Sequence, residues 1–394
     1  MSAEPIREID STALDRARAL AADIAQAGDA IEAGRALTDD LLAALHRARL
    51  FRLTLPRWLS GEELSPPELA QVTECVAAAD ASTAWCLGQA FGCGMSAAFM
   101  HRDAAAEVFG PDHAVLAWGA GAQGQAVPVS GGYRVTGEWK FASGSYHATW
   151  IGAHCKVVDE HGAAVLGKSG KPQLTTALFR REQVAMLDDW HVMGLRGTRS
   201  EGYRIDGLFV DEVLTLDRET LESRQYDAPL YRFPTTNVYA GSFSGVALGV
   251  ARGALDDLRA LATHKTARGA RSSLRDSPVF QTELAELEAQ HASARAFQRN
   301  TLLEVWDGVE VGEPLSIDQR AQIRLATTWA IRKSAEVVYA VHRMAGSSAI
   351  FSALPFERRF RDMHAVSQQV QGRATNFENV GRYLLGHQAD TLFM

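Results

Sequence analysis

Hydrophobic periodicity changes twice along these 394 residues, and the order of the changes restricts the architecture more than any single motif. From about residue 11 to residue 100, apolar residues recur at helical spacing. Leu14, Ala17, Ala21 and Ile24 form one set and Leu41, Leu42, Leu45 and Leu50 another, the second with acids early and arginines late. Ser65-Pro66-Pro67-Glu68 reads as a helix start: a cap, prolines in the first turn and an acid near the positive end of the dipole. Residues 77–99, rich in Ala, Gly and Ser, predict a helix packed backbone against backbone. From about Ala114 the pattern is that of strands. A Gly131-Gly132 turn opens an alternating run to Phe141, and β-rich stretches follow at 149–158, 174–179 and 202–210. Residues 162–171 read as a glycine- and lysine-containing connection. After Tyr231 long helices return, over 243–264, 277–306 and 317–344, with a last helical region after Pro355.

This α–β–α order has no internal repeat and does not support an alternating α/β dinucleotide fold. The expectation is an α+β chain with a helical domain over 1–113, a middle β domain over 114–225 and a helical bundle over 226–394. The middle domain reads as a small antiparallel barrel or sandwich.

A formal net charge of −7 and the lack of a basic stripe argue against nucleic acid as a partner. The densest basic region, Arg268 to Arg275, fits a local anion site instead. Cys75, Cys86, Cys93 and Cys155 are scattered without a Cys-x-x-Cys pair, which suggests free thiols and neither zinc nor disulfides. The charged N-terminus lacks an apolar signal region, and no apolar run is long enough to span a bilayer. A soluble, cytoplasmic protein is expected.

The chemistry-bearing motifs lie in order along the chain. Ala345-Gly346-Ser347-Ser348-Ala349-Ile350, then Phe356-Glu357-Arg358-Arg359-Phe360-Arg361-Asp362, resembles the small-residue turn and Arg-Asp signature of acyl-CoA dehydrogenases. Gly132 to Ala148 contains Glu138-Trp139-Lys140-Phe141-Ala142-Ser143-Gly144. It is similar to the middle-domain strand of that superfamily, and closer to the form found in its two-component flavin-dependent monooxygenases. Trp190-His191-Val192-Met193-Gly194-Leu195-Arg196-Gly197-Thr198-Arg199-Ser200 resembles the same branch, as does Asp80-Ala81-Ser82-Thr83-Ala84-Trp85. Arg271 precedes Phe280-Gln281 by the interval usual in the dehydrogenases.

The resemblance covers nearly the whole chain and implies an acyl-CoA dehydrogenase-like fold whose last domain is a four-helix bundle. It also implies a site built around FMN or FAD. Ser143 would face the flavin's N5 and O4 edge, where a hydroxyl can donate or accept. Phe141, Ala142 and Gly144 would frame the ring, Trp190 would stack on or edge it, and Trp85 would join from the first domain. Arg196, Thr198 and Ser200 would fix their turn and reach the cofactor. Arg271, Phe280 and Gln281 would meet the flavin phosphates, often across a subunit interface, since an arginine fork matches phosphate oxygens. Gly346, Ser347, Ser348 and Ala349 would let backbone amides approach the cofactor. Arg361 and Asp362 read as an ion pair pinning the last helix. His191, beside a core tryptophan, reads as structural.

The chain also departs from the family. The dehydrogenases' catalytic glutamate falls at Val370, which cannot act as a base. The histidines common among the hydroxylating enzymes fall at Gln369 and Cys93. His364, four residues from Phe360 on its helical face, is the replacement candidate, with His147 as another. Two activities follow from the resemblance. One is the oxygenase component of a two-component monooxygenase, which takes reduced flavin from a separate reductase and hydroxylates or N-oxygenates a small apolar substrate. The other is an acyl-CoA dehydrogenase or oxidase with Glu378 as relocated base. A flavin-binding homologue without chemistry is a third reading. Flavin sites shared through an arginine imply a homotetramer, or a dimer.

Overall fold

The computed structural model describes residues 12–167, 170–218, 220–266, 269, 272–310, 315–388 and 390. Its N-terminal part is helical: α1 (Thr12–Ala19), α2 (Ala21–Gly34), α3 (Asp39–Arg47), α4 (Pro66–Ala79), α5 (Ala81–Gly94) and α6 (Arg102–Phe109). The start read at Ser65 is a complete capping box: the Glu68 amide donates to Ser65 Oγ at 3.4 Å and the Ser65 amide to Glu68 Oε2 at 3.0 Å. Asp80 then interrupts the alanine-rich stretch. Its Oδ1 accepts from the Thr83 amide at 2.7 Å and caps α5.

The middle of the chain is one sheet: β1 (Leu116–Trp118), β2 (Gly124–Val129), β3 (Gly132–Trp139), β4 (Trp150–Val157), β5 (Leu174–Arg180), β6 (Ala185–Met186), β7 (Tyr203–Asp211) and β8 (Thr215–Leu216). The strand order is β6-β7-β3-β2-β4-β5-β8, with β1 beside β4. The Gly131-Gly132 hairpin forms as read, pairing Val129 with Gly132. Most pairings are antiparallel, but β1–β4 and β2–β4 are parallel, a detail the sequence reading lacked. The hairpin occupies one edge of β2 with β3. The chain then crosses over through residues 140–149 and lays β4 on the other edge in the same direction as β2. Inside the sheet the fully buried Trp139 stacks on Tyr203, centroids 5.2 Å apart, and donates from Nε1 to the His154 carbonyl at 2.9 Å. This rigid point feeds directly into residues 140–145.

The chain ends in α7 (Thr235–Ala262), α8 (Pro278–Glu310), α9 (Ile317–Ala345), α10 (Pro355–Gln368) and α11 (Thr375–Leu384). Helix α7 begins eight residues earlier than its periodicity predicts. Thr235-Thr236-Asn237-Val238 has weak helix propensity, and burial of Asn237 and Val238 overrides it. Gly241, Gly245, Gly249 and Gly253 recur at i, i+4 on α7, and this stripe presses against α4. A Cβ on Gly245 would lie 2.3 Å from the Ala70 carbonyl oxygen, and one on Gly249 2.2 Å from that of Glu74. One apolar core therefore runs through both helical parts, and a second lies within the sheet. No helix among the described residues is long and apolar enough to cross a membrane.

Candidate active site

Two of the motifs meet back to back. The Gly144 amide donates to the Thr198 carbonyl at 2.9 Å and the Ala142 amide to that of Glu201 at 3.3 Å, which holds the turn after β3 against residues 196–201. Both turns use left-handed backbone: Phe141 at φ +64°, Leu195 at +53° and Arg199 at +40°. Arg199 thus holds a conformation in which glycine is at ease. Its guanidinium is held by Glu201 at 2.7 Å and over the Tyr146 ring at 4.1 Å. Phe141 is 62% exposed and touches Trp190 edge-on at 6.1 Å. A bulky residue held there stores roughly 1–2 kcal/mol of strain.

The two turns place hydroxyls in a directed chain. Thr198 Oγ1 donates to the Leu195 carbonyl at 2.8 Å, so its hydrogen is committed. Ser200, 2.7 Å away, must then donate to Thr198, and Ser143 must donate to Ser200 at 2.7 Å. Ser143 Oγ in turn accepts from Trp85 Nε1 at 3.0 Å. Hydrogen bonds therefore run one way, from indole to carbonyl, through three buried hydroxyls.

Leu195 is the node that anchors this chain. Its carbonyl also accepts from Trp190 Nε1 at 3.2 Å, and its amide donates to Asp362 Oδ1 at 2.7 Å. Asp362, deep in the structure, is pushed up to about 7 by burial, with the Leu195 amide opposing and Asp80 and Glu32 adding to the rise. The expected Arg361–Asp362 ion pair is replaced by two separate ties. Adjacent helical residues point about 100° apart, so Arg361 faces Glu357 (2.6 Å) and Glu32 (2.8 Å) and Asp362 faces the loop.

These groups line a cavity of about 980 Å³. Of the residues singled out in the sequence, Trp85, Phe141, Ser143, Trp190, Thr198, Ser200 and His364 reach it. Ala142 and Gly144 lie just behind in the same turn. The other described ones lie off the cavity. Arg196 pairs with Glu32 at 3.2 Å, Phe280 is buried in α8, and Gln281 donates to the Arg275 carbonyl. Gly346 to Ala349 sit at the far end of α9, where Lys265 Nζ reaches Ser348 Oγ at 2.7 Å. Arg271 lies outside the described residues. His147 turns away and packs on Phe51, and burial lowers it to about 3. His191 is held by Arg35 at 3.1 Å. His364 lies on the cavity wall with its ring bonded to the Tyr339 hydroxyl.

The sequence reading missed much of the wall. Trp118 ends β1 and is followed by Gly119-Ala120-Gly121, a run that could have been flagged. On α7, Tyr239 and Phe243 are one turn apart. Phe243 stacks on Trp85 with centroids 4.1 Å apart and on Tyr239 at 5.3 Å, giving a three-ring column. Gln89 Nε2 donates to Tyr239 Oη at 3.1 Å, and burial keeps that phenol protonated far above its usual range. Cys93, packed beside both, is pushed up to about 12 by burial. His154 Nδ1 lies 2.8 Å from Thr176 Oγ1, and burial with the Arg218 charge holds the ring neutral.

Val370 and Gln369 are on the cavity wall, whereas Glu378 is exposed in the first turn of α11 and off it. Among the described lining residues, Asp217 is the sole carboxylate, so no base stands where the dehydrogenases carry theirs. The fit to a flavin is good on other grounds: flat aromatic walls, a hydroxyl chain ending at the cavity and ample volume.

The family description "Acyl-CoA dehydrogenase, C-terminal domain" matches residues 242–371. The chain is 30% identical to the indole-3-acetate monooxygenase of Pseudomonas putida over 359 residues, covering 90% of this chain and 88% of that one. It is 28% identical to the oxygenase component of an FADH(2)-dependent resorcinol hydroxylase from Rhizobium sp., covering 89% and 87%. In fold it is similar to XiaF from Streptomyces sp., solved with FADH2 and glycerol, at a TM-score of 0.90 and 22% identity over 96% of both chains. The chain belongs to the acyl-CoA dehydrogenase superfamily, in its branch of flavin-dependent monooxygenase oxygenase components.

Proposed function

We propose that this protein is the oxygenase component of a two-component monooxygenase. It would receive reduced FMN or FAD from a separate flavin reductase and hydroxylate or N-oxygenate a small aromatic substrate of indole or phenol size. The observation that carries this reading is the meeting of a hydroxyl chain and an aromatic column at a cavity with Val370 in place of a base. Reduced flavin supplies two electrons, so that one atom of O2 enters the substrate and the other leaves as water.

The chain's own part is binding, orientation and exclusion of water. Phe141 and Trp190 would edge the flavin ring, and Ser143 Oγ would hold a proton at its polar edge. Because Ser143 already accepts from Trp85, its remaining lone pair can take a donor from the cofactor, or its hydrogen can leave Ser200 for a cofactor acceptor. The Trp85–Phe243–Tyr239 column offers a planar substrate a stacking surface. His364 is the candidate acid or base on the cavity wall, its ring steadied by Tyr339. The flavin phosphates would meet Arg271, Phe280, Gln281 and the 346–349 turn from a second copy of the chain, since Phe280, Gln281 and that turn lie away from the cavity of their own. Exposed Phe297, Trp329, Ile350 and Phe351 on α8, α9 and the turn after α9 favour a homotetramer or dimer. We assign the domains to 1–113, 114–225 and 226–394, and the protein to the cytoplasm.

The test supplies purified protein with FMN or FAD reduced by a separate reductase, then adds indole-3-acetate, indole or resorcinol under 18O2. Incorporation of one labelled oxygen per product supports the reading. Bleaching of bound oxidised flavin by an acyl-CoA, without oxygen transfer, overturns it.

A further inference from the structure

At the end of the cavity formed by α7 and the turn before α11 lie two guanidinium groups, Arg324 and Arg373, with no acid bonded to either among the described residues. Arg324, on α9, is 1% exposed. Its guanidinium donates to Gln371 Oε1 and, at 3.2 Å, to Thr236 Oγ1, both neutral acceptors on residues that line the cavity. Its Nε has no partner among the described residues, and burial and the charge of another cation, Arg320, both act against its own charge. A guanidinium cannot shed its proton at ordinary pH. Burying one without a carboxylate is costly, and such sites are normally completed by an anion.

Two more features face the same corner. Arg373 lines the cavity, and its guanidinium has no hydrogen bond or ion pair among the described residues. Thr235 and Thr236 begin the 28-residue α7, whose first turn holds no acid, so its exposed amides add partial positive charge at the wall. Elsewhere in the lining, Arg218 lies over the Trp118 ring at 4.6 Å, and Asp217 is the one lining carboxylate among the described residues. Glu378, in the first turn of α11, is exposed and off the cavity.

We infer that this corner is an oxyanion subsite, in which Arg373 grips the anion directly while Thr236 and Gln371, braced by Arg324, shape the wall behind it. The inference rests on the reading of this cavity as the flavin and substrate site. The anion is a carboxylate of the substrate or the phosphate of the flavin, the latter then held by this copy's Arg373 together with the second copy's residues named above; the two share one chemistry here and are told apart by neutral analogues.

Dissociation constants are measured for wild type and Arg373→Gln with two probe pairs, FMN against riboflavin and indole-3-acetate against indole. Arg373 is exposed, so the variant should fold, and an unchanged thermal midpoint checks this. The variant should bind the charged member of one pair about tenfold more weakly or worse, the size of one charge-assisted hydrogen bond, and the neutral member within about twofold. Selective loss in the flavin pair assigns the subsite to phosphate, and selective loss in the indole pair assigns it to a substrate carboxylate. Equal effects on charged and neutral members, or none in any pair that binds, overturn the inference while leaving the proposed function standing. If the wild-type chain binds neither flavin nor indole, the reading of the cavity fails and the subsite with it.

Discussion

Trp85 on α5 donates its indole hydrogen to Ser143 Oγ, 58 residues on, at 3.0 Å. The bond joins the first helical part to the sheet inside the cavity and heads the hydroxyl chain whose direction the Thr198 bond to the Leu195 carbonyl fixes. A side chain so placed has both a structural and a chemical role, and substitutions can separate them.

Ser143→Ala leaves Trp85 Nε1 and Ser200 Oγ without their shared partner. The loss of stability should be about 1–3 kcal/mol by urea unfolding, the cost of stranding buried polar groups. If Ser143 also contacts the cofactor, product formed per reduced flavin oxidised should fall several-fold. A stability loss with unchanged coupling would reduce Ser143 to a structural bridge.

Phe141 is held in the left-handed region, where glycine is at ease. Phe141→Gly should change stability by less than about 1 kcal/mol, because relief of strain offsets the added freedom of the unfolded chain. Flavin affinity should nevertheless drop by about tenfold with the loss of the ring face. A fluorescence titration reads the affinity, and an unchanged dissociation constant would exclude Phe141 from the flavin wall.

Asp362 makes stability depend on pH. Its folded value, about 7, lies above the ordinary 3.8 of an unfolded aspartate. The protonated form is therefore favoured in the fold, and its contribution is complete below about pH 4 and lost as pH rises through 7. Asp362→Asn keeps an oxygen for the Leu195 amide and removes the titration. Relative to wild type, the variant should gain stability between pH 5 and 8, by roughly 1–3 kcal/mol at the upper end. Parallel stability curves for the two proteins would show that Asp362 does not titrate in this window.

Gly249→Ala tests the closest helix contact. The added Cβ meets the Glu74 carbonyl oxygen, a backbone atom that cannot swing aside, and then Ala77. The expected loss is about 1–3 kcal/mol despite the better helix propensity of alanine. Gly34→Ala, where a Cβ meets nothing within 4 Å, is the control.

The fold was legible because its signals are local. The Ser65 cap, the Gly131-Gly132 hairpin and the length of α9 follow from residue types within a few positions of each other. The site was half legible. Ser143, Thr198 and Ser200 sit in motifs, and the motifs carried them to the cavity. Tyr239, Phe243 and Trp118 were missed because an aromatic on a buried helix or strand looks like core until its neighbours are known. Arg361 and Asp362 read as a pair within the Arg-Asp signature, while the helix sends their side chains apart, to Glu32 and Glu357 and to the Leu195 amide. Arg324 carried no signal at all. Its meaning depends on the absence of an acid around it, which only three dimensions reveal.

The column of Trp85, Phe243 and Tyr239 has a practical side. Trp85 lies in van der Waals contact with the volume a flavin or aromatic substrate would fill, and Trp118 and Trp190 line the same walls. Indole emission overlaps flavin absorption, so the cavity contains its own optical gauge. Occupancy by the cofactor should dim these three indoles by energy transfer, in real time and without any label attached to the protein.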